Sequence, residues 1–101
     1  MTHHVHWKKR NKKIIVDPVT TVAGDSIAWQ NRGKKPIGLF FPDARLFGRH
    51  QDVVLGRTTK TLKVRFRTRR TVVFPYAIYF VRQGRFGEGS APIIIVKPGG
   101  G

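Results

Sequence analysis

The stretch Val22-Ala23-Gly24-Asp25-Ser26-Ile27-Ala28-Trp29-Gln30-Asn31 carries the most structural information in this chain of 101 residues. Gly24 tolerates the positive φ of a tight turn, and Asp25 suits the turn's polar exit. Beyond the turn, Ile27 and Trp29 alternate with Ser26, Ala28 and Gln30, the period of a half-buried strand. Asn31-Arg32-Gly33-Lys34-Lys35 then reads as a polar loop. It leads into a second strand, Pro36 to Phe41, with the proline at its first position.

The same logic extends both ways. Ile14–Val16 and Val19–Val22 are short β-branched runs separated by Asp17-Pro18. Pro42-Asp43 closes the Phe41 strand, and Ala44 to Gly48 reads as an irregular loop or one helical turn. Gln51–Leu55 is a weak strand. Leu62, Val64 and Phe66 alternate with Lys63, Arg65 and Arg67, the clearest period of two in the chain. Thr71–Val81 is nearly all apolar and reads as a central strand covered on both faces, with Pro75 an irregularity. Arg82–Pro92 is a Gly-rich loop, and Ile93–Val96 closes a sheet. With seven or eight short strands and no long helix, the expected architecture is all-β, a two-sheet antiparallel sandwich. It divides into a basic N-terminal arm (residues 1–13), the sandwich (14–97) and a flexible Gly tail (98–101).

Two further phrases, Pro36-Ile37-Gly38-Leu39-Phe40-Phe41 and Tyr76-Ala77-Ile78-Tyr79-Phe80, follow the first in order. Together the three resemble the cupredoxins, the blue-copper β-sandwich family. The resemblance spans roughly residues 14–96 and implies a Greek-key, cupredoxin-like fold. Its functional implication is negative. In plastocyanin-like members a Pro-His pair supplies the first copper ligand, and here the pair is Pro36-Ile37. A Tyr-x-[FY]-Tyr-Cys strand supplies the thiolate, and here Phe80 stands in the place of Cys. Gln83 falls near the second His, and Glu88 or a neighbour near the Met. A blue-copper centre needs two imidazoles and a thiolate. The chain has no cysteine at all, so no copper, other metal or cofactor is expected in the sandwich.

The charge is extreme: 20 Lys and Arg face five acids, for a formal net charge of +15. Such a domain attracts polyanions over long range. Four clusters carry the charge. They are Lys8, Lys9, Arg10, Lys12 and Lys13; Arg32 with Lys34 and Lys35; Lys60 through Lys63, Arg65, Arg67, Arg69 and Arg70; and Arg82 with Arg85. On one strand face, Lys63, Arg65 and Arg67 would lie about 7 Å apart, near the spacing of successive phosphates. Trp7 and Phe86 are candidates to stack on bases, or else core residues.

Other chemistry is weaker. Met1-Thr2-His3, or Thr2-His3-His4 once Met1 is removed, has the spacing of a square-planar Cu(II) or Ni(II) site, against a plain solvated arm. His50 and Asp52 share a side of a possible strand, but no nucleophile accompanies them, and no enzyme is expected. Arg82-Gln83-Gly84-Arg85-Phe86-Gly87-Glu88-Gly89 lacks the order of a phosphate loop. No run is long enough for a membrane span, and no apolar leader follows Met1. This fits a cytoplasmic protein or an exported mature fragment.

The expected function is therefore a non-enzymatic, copper-free binding module. Its partner is a polyanion, RNA in a ribonucleoprotein or ribosome-like assembly, touched mainly through phosphates. The alternative is a structural coat, filament or decoration subunit that assembles through sandwich surfaces. A third reading is a peripheral binder of anionic lipid or of an acidic protein, though no apolar insertion patch supports lipid.

Overall fold

A computed structural model describes residues 1–10, 13–81, 84–86 and 91–99, without the side chains of Lys9, Arg10 and Arg85. The chain forms β1 (Thr2–Val5), β2 (Trp7–Arg10), β3 (Lys13–Val16), β4 (Val19–Thr21), β5 (Ser26–Gln30) and β6 (Ile37–Phe40). It continues with β7 (Gln51–Val54), β8 (Thr59–Lys63), β9 (Val72–Pro75), β10 (Ala77–Phe80), β11 (Arg85–Phe86) and β12 (Ile93–Val96). No described residue is in an α-helix; residues 44–48 form a single turn closed by Gly48 N–H on the Ala44 carbonyl at 2.7 Å.

The strands pair as β1-β5-β8, β11-β10-β6-β7, β4-β12-β9 and β2-β3. Most pairs are antiparallel, but β1 runs parallel to β5 and β4 parallel to β12. The β1–β5 pair is parallel because the chain leaves β1 for the β2–β3 hairpin and β4 before returning as β5 beside its starting strand. Between the sheets lies one core. Ile27, Trp29 and Leu62 enter it from β5 and β8, while Ile37, Leu39, Val54, Phe74, Ile78, Ile94 and Val96 enter it from the other sheets.

Trp29 is the centre of an aromatic cluster, with ring centroids 5.9 Å from Phe41, 5.7 Å from Phe47 and 5.8 Å from Tyr76. Its indole N–H donates to the Tyr76 hydroxyl at 3.2 Å, so the polar atom of each ring is satisfied inside the core. Burial, only partly offset by that bond, pushes the Tyr76 phenol up to about 12.

Several sequence expectations are modified. Residues 71–81 are not one central strand. The chain changes sheets at Tyr76, so β9 pairs with β12 and β10 with β6. Pro75 ends β9, an edge strand with Val73 and Pro75 exposed, where a missing N–H costs no ladder bond. Such kinks also explain why the described strands outnumber the seven or eight expected. Residues 2–10 are not a detached arm over this span: β1 joins the β5 sheet and β2 pairs with β3. The alternation in β5 holds for Ile27 and Trp29, both 0% exposed, but Ala28 is buried as well, on the opposite face. Gly24 takes φ +94° in its turn, and its N–H donates to Val64.

Candidate polyanion-binding surface

The positions that resemble copper-ligand sites lie opposite each other: Phe80 of β10 is the cross-strand partner of Ile37 in β6. Ile37 is buried and Phe80 packs against the core. Neither side chain has a lone pair to offer, so the residues present do not fit a blue-copper ion. Gln83 and Glu88 lie outside the described residues. At the N-terminus, β1 is extended, and the His3 ring is held by Asp25 at 2.9 Å. A square-planar wrap through the Thr2 and His3 amides is therefore not assembled. Among the described residues no three His, Cys, Asp or Glu side chains converge as a metal site.

His50 and Asp52 are not an acid–base pair. The His50 ring bonds the Phe41 carbonyl at 3.1 Å. Asp52 is bonded by the Val53 N–H, Arg49 and Lys60. Burial opposes ionisation of Asp52, but these three donors outweigh it and hold the carboxyl below its ordinary range. Asp43 is held down to about 2, first by the Arg45 guanidinium, which chelates it with a 2.6 Å contact. Asp25 is lowered chiefly by its bond to His3, and the chain's amine lies 3.5 Å away.

This allocation of acids decides which cations remain. The carboxylates of Asp25, Asp43 and Asp52 are occupied by the N-terminus, His3, Arg45, Arg49 and Lys60. Among the described residues, Lys8, Lys13, Lys34, Lys35, Lys63, Arg65, Arg67, Arg69 and Arg70 have no carboxylate partner, and all are exposed. Lys12 and Arg82 lie outside the described residues, as do the side chains of Lys9, Arg10 and Arg85.

The row Lys63, Arg65, Arg67 is not a strand row. β8 ends at Lys63, because beyond it Val64 and Arg65 bond to Asp25 and to the Leu46 carbonyl. The inward–outward alternation persists in burial, with Leu62 and Val64 buried. Arg65, however, folds over the 44–48 turn, where an added Cβ on Gly48 would lie 3.1 Å from its guanidinium. Lys63 therefore belongs to a different surface, the outer face of the β1-β5-β8 sheet. There the register sets Lys63 beside Ser26, Thr61 beside Ala28 and His4, and Thr59 beside Gln30. That face carries hydroxyls and cations, with no carboxylate in these rows.

At the far end of β5, Asn31 organises the basic loop. Its buried amide donates to the carbonyls of Lys35 (2.8 Å) and Val54 (3.1 Å), and its oxygen accepts from Gly33 N–H at 3.0 Å. Arg57 N–H bonds Gly33, which stitches the 55–58 turn to this loop. The approach is so close that a Cβ on Gly56 would lie 2.1 Å from the Lys34 carbonyl oxygen. Arg32, Lys34, Lys35 and Arg57 are thus displayed on a rigid end. Asn31→Ala would remove three bonds, leaving the buried Val54 carbonyl without this donor, and a loss of about 2–3 kcal/mol is expected in urea unfolding. An unchanged midpoint would show that the loop does not depend on Asn31.

Between this loop and the β1–β2 bend runs a groove of about 440 Å³. His4, His6, Trp7, Lys8 and Arg32 line it over Ala28 and Gln30. Trp7 is fixed by its indole N–H on the Gln30 carbonyl at 3.1 Å. The sequence points to Lys8, Arg32 and Trp7, but it offers His4 only as a metal ligand or part of a solvated arm and gives His6 no role. The missed signal is their period of two: His4, His6 and Lys8 share one parity while Val5 and Trp7 share the other.

The four-stranded sheet has a contrasting outer face. Phe86, Tyr79, Gly38 and Val53 form one register row across β11-β10-β6-β7, with Phe40 alongside. Phe40, Val53 and Phe86 are exposed.

No family model and no curated sequence matches the chain. Among solved structures, an oxidised Met-to-Leu mutant of amicyanin superposes with a TM-score of 0.55 at 14% identity, covering 96% of this chain and 81% of that one. A Met-to-Ala amicyanin in its Cu(I) form gives 0.56 at 12% identity, with the same coverage. Likeness at this identity establishes the fold, a cupredoxin-like β-sandwich.

Proposed function

We propose that this chain is a copper-free, non-enzymatic binding module whose partner is RNA within a larger assembly, held mainly through phosphates. One observation carries the reading. Three of the four described aspartates, Asp25, Asp43 and Asp52, are spent on the N-terminus, His3, Arg45, Arg49 and Lys60. Among the described residues Asp17 pairs with no cation, and Lys8, Lys34, Lys35 and Lys63 are left without salt bridges. A surface that needed charge only for solubility would do better with mixed signs. Along β5 the outer face runs about 14 Å from Lys63 to Gln30, on the order of two or three nucleotides. Phosphates would meet Lys63 at one end and Arg32 at the other, with hydroxyl donors between them.

The test is purification from the native source, with absorbance at 260 and 280 nm before and after nuclease. Co-purifying RNA that nuclease releases is the expected result. Nucleic-acid-free protein that does not bind single-stranded RNA at 0.1 M salt would remove the reading. The alternative, a subunit that assembles through sandwich surfaces, is favoured by the apolar row Phe86–Tyr79–Gly38–Val53, whose Phe86 and Val53, with the adjacent Phe40, are exposed. Large particles that persist after nuclease treatment would support it instead.

A further inference from the structure

The groove beside Trp7 differs from the rest of the basic surface. It is concave, within the size range of small-ligand sites. Basic groups stand on both walls, His4, His6 and Lys8 on the β1–β2 side and Arg32 on the loop side. Among the described residues the Arg32 side chain bonds only the Gln30 side chain, at 3.5 Å, and the side chains of His4, His6 and Lys8 make no hydrogen bond; the His6 carbonyl accepts from Asp17 N–H. No carboxylate lines the groove; Asp17 borders the separate depression on the other side of Trp7, which His6 and Lys8 also reach. The half-buried Trp7 supplies the one large aromatic ring of the lining, beside Val5, the buried Ala28 and the side chain of Gln30.

Cations alone would suit any anion. Cations around an indole suit an anion that carries a flat ring. We propose that this groove is a subsite for one nucleotide unit. Its phosphate sits between Lys8 and Arg32 with the His4 and His6 imidazoles, and its base stacks on the Trp7 indole. The inference rests on the RNA-binding reading and deepens it: the module would hold one base as well as phosphates, and so prefer single strands to duplex. Trp7 is not a free base-stacker on an arm, because its indole N–H is anchored to Gln30.

Tryptophan fluorescence reads this directly. Trp29 is fully buried, so quenching by a small ligand reports Trp7. With the full chain, adenosine monophosphate is expected to quench saturably, and Trp7→Phe to abolish the response. Adenosine and inorganic phosphate should each bind at least about tenfold more weakly than the nucleotide, and Lys8→Gln with Arg32→Gln should weaken the nucleotide by about tenfold or more. Retained Trp29 emission and thermal melting verify that the variants fold. No saturable quenching, or equal affinity in the double variant, would overturn the proposal. Phosphate binding as tightly as the nucleotide would reduce the groove to an anion site and overturn the base contact. If a short oligo(A) RNA binds, and Lys63→Gln weakens it, while the nucleotide titration is flat, the groove fails but the RNA reading stands. If the oligonucleotide also fails to bind, the broader reading fails with it.

Discussion

Replacing Lys8, Arg32 and Lys63 together with Gln is expected to lower affinity for single-stranded RNA about 10²-fold at 0.1 M salt. The figure follows from counterion release. Each phosphate contact on a single strand contributes about 0.7 to the log–log salt slope, hence about fivefold in affinity at 0.1 M, and three contacts multiply to about 10². The slope itself should fall by about 2. The matching control is Arg45, Arg49 and Lys60 to Gln. It removes the same formal charge, but these cations already face Asp43 and Asp52. The control should lose less than about fivefold, because long-range attraction between exposed charges is largely screened at this salt. The first set is a surface change of small expected cost to folding. The control takes both cations from the largely buried Asp52, so its fold is checked by thermal melting before binding is compared. Equal losses in the two variants would mean that bulk charge, not the β1-β5-β8 face, governs binding. Filter binding across a salt series separates the outcomes.

How much of this was legible in the chain varies from element to element. The turn at Gly24, the burial of Ile27 and Trp29, and the inward Leu62 and Val64 follow from local period and turn chemistry, and the structure agrees. The all-β, cupredoxin-like fold was also legible, through three short phrases in order. Where the chain changes sheets was not. Residues 71–81 are apolar throughout, and period alone cannot tell one long buried strand from two that belong to different sheets. Pro75 was the available signal, and its meaning depends on whether β9 lies at an edge, a property of the whole topology. The site was partly legible. The excess of cations is plain from composition, but which of them keep a free charge depends on where three aspartates point. Asp52 takes Arg49 from three residues back, a local pair, but Lys60 comes from β8, and that contact depends on how the chain folds β8 back toward β7. The groove needed the parallel pairing of β1 with β5 to set His4 over Ala28, and no local pattern encodes a parallel partner. The Arg82–Pro92 stretch, read as a Gly-rich loop, is described only at 84–86 and 91–92, and there Arg85 and Phe86 pair with β10 as β11.

The core makes the other large prediction, and pH tests its chemistry. Trp29→Ala removes the ring shared by Phe41, Phe47 and Tyr76 and should cost about 3–5 kcal/mol. In a domain of this size that is much of the available stability, and each kcal/mol is worth about 4–8 °C in Tm. Tyr76→Phe is milder at neutral pH, about 1–2 kcal/mol, since it leaves the buried Trp29 N–H without its acceptor. The order should reverse in alkali. The folded Tyr76 phenol stays protonated to about 12 against an ordinary 10.0. Between those values the unfolded chain releases a proton that the folded chain keeps, so stability falls as pH rises, by about 2–3 kcal/mol in all. Tyr76→Phe lacks this loss, while ionisation of the other groups is common to both proteins and cancels in the comparison. Wild type should therefore be more stable at pH 7 and the Tyr76→Phe variant more stable near pH 12, with the crossing between pH 10 and 12. A stability difference that stays constant over that range in urea unfolding would show that the phenol is not held protonated by burial beside Trp29.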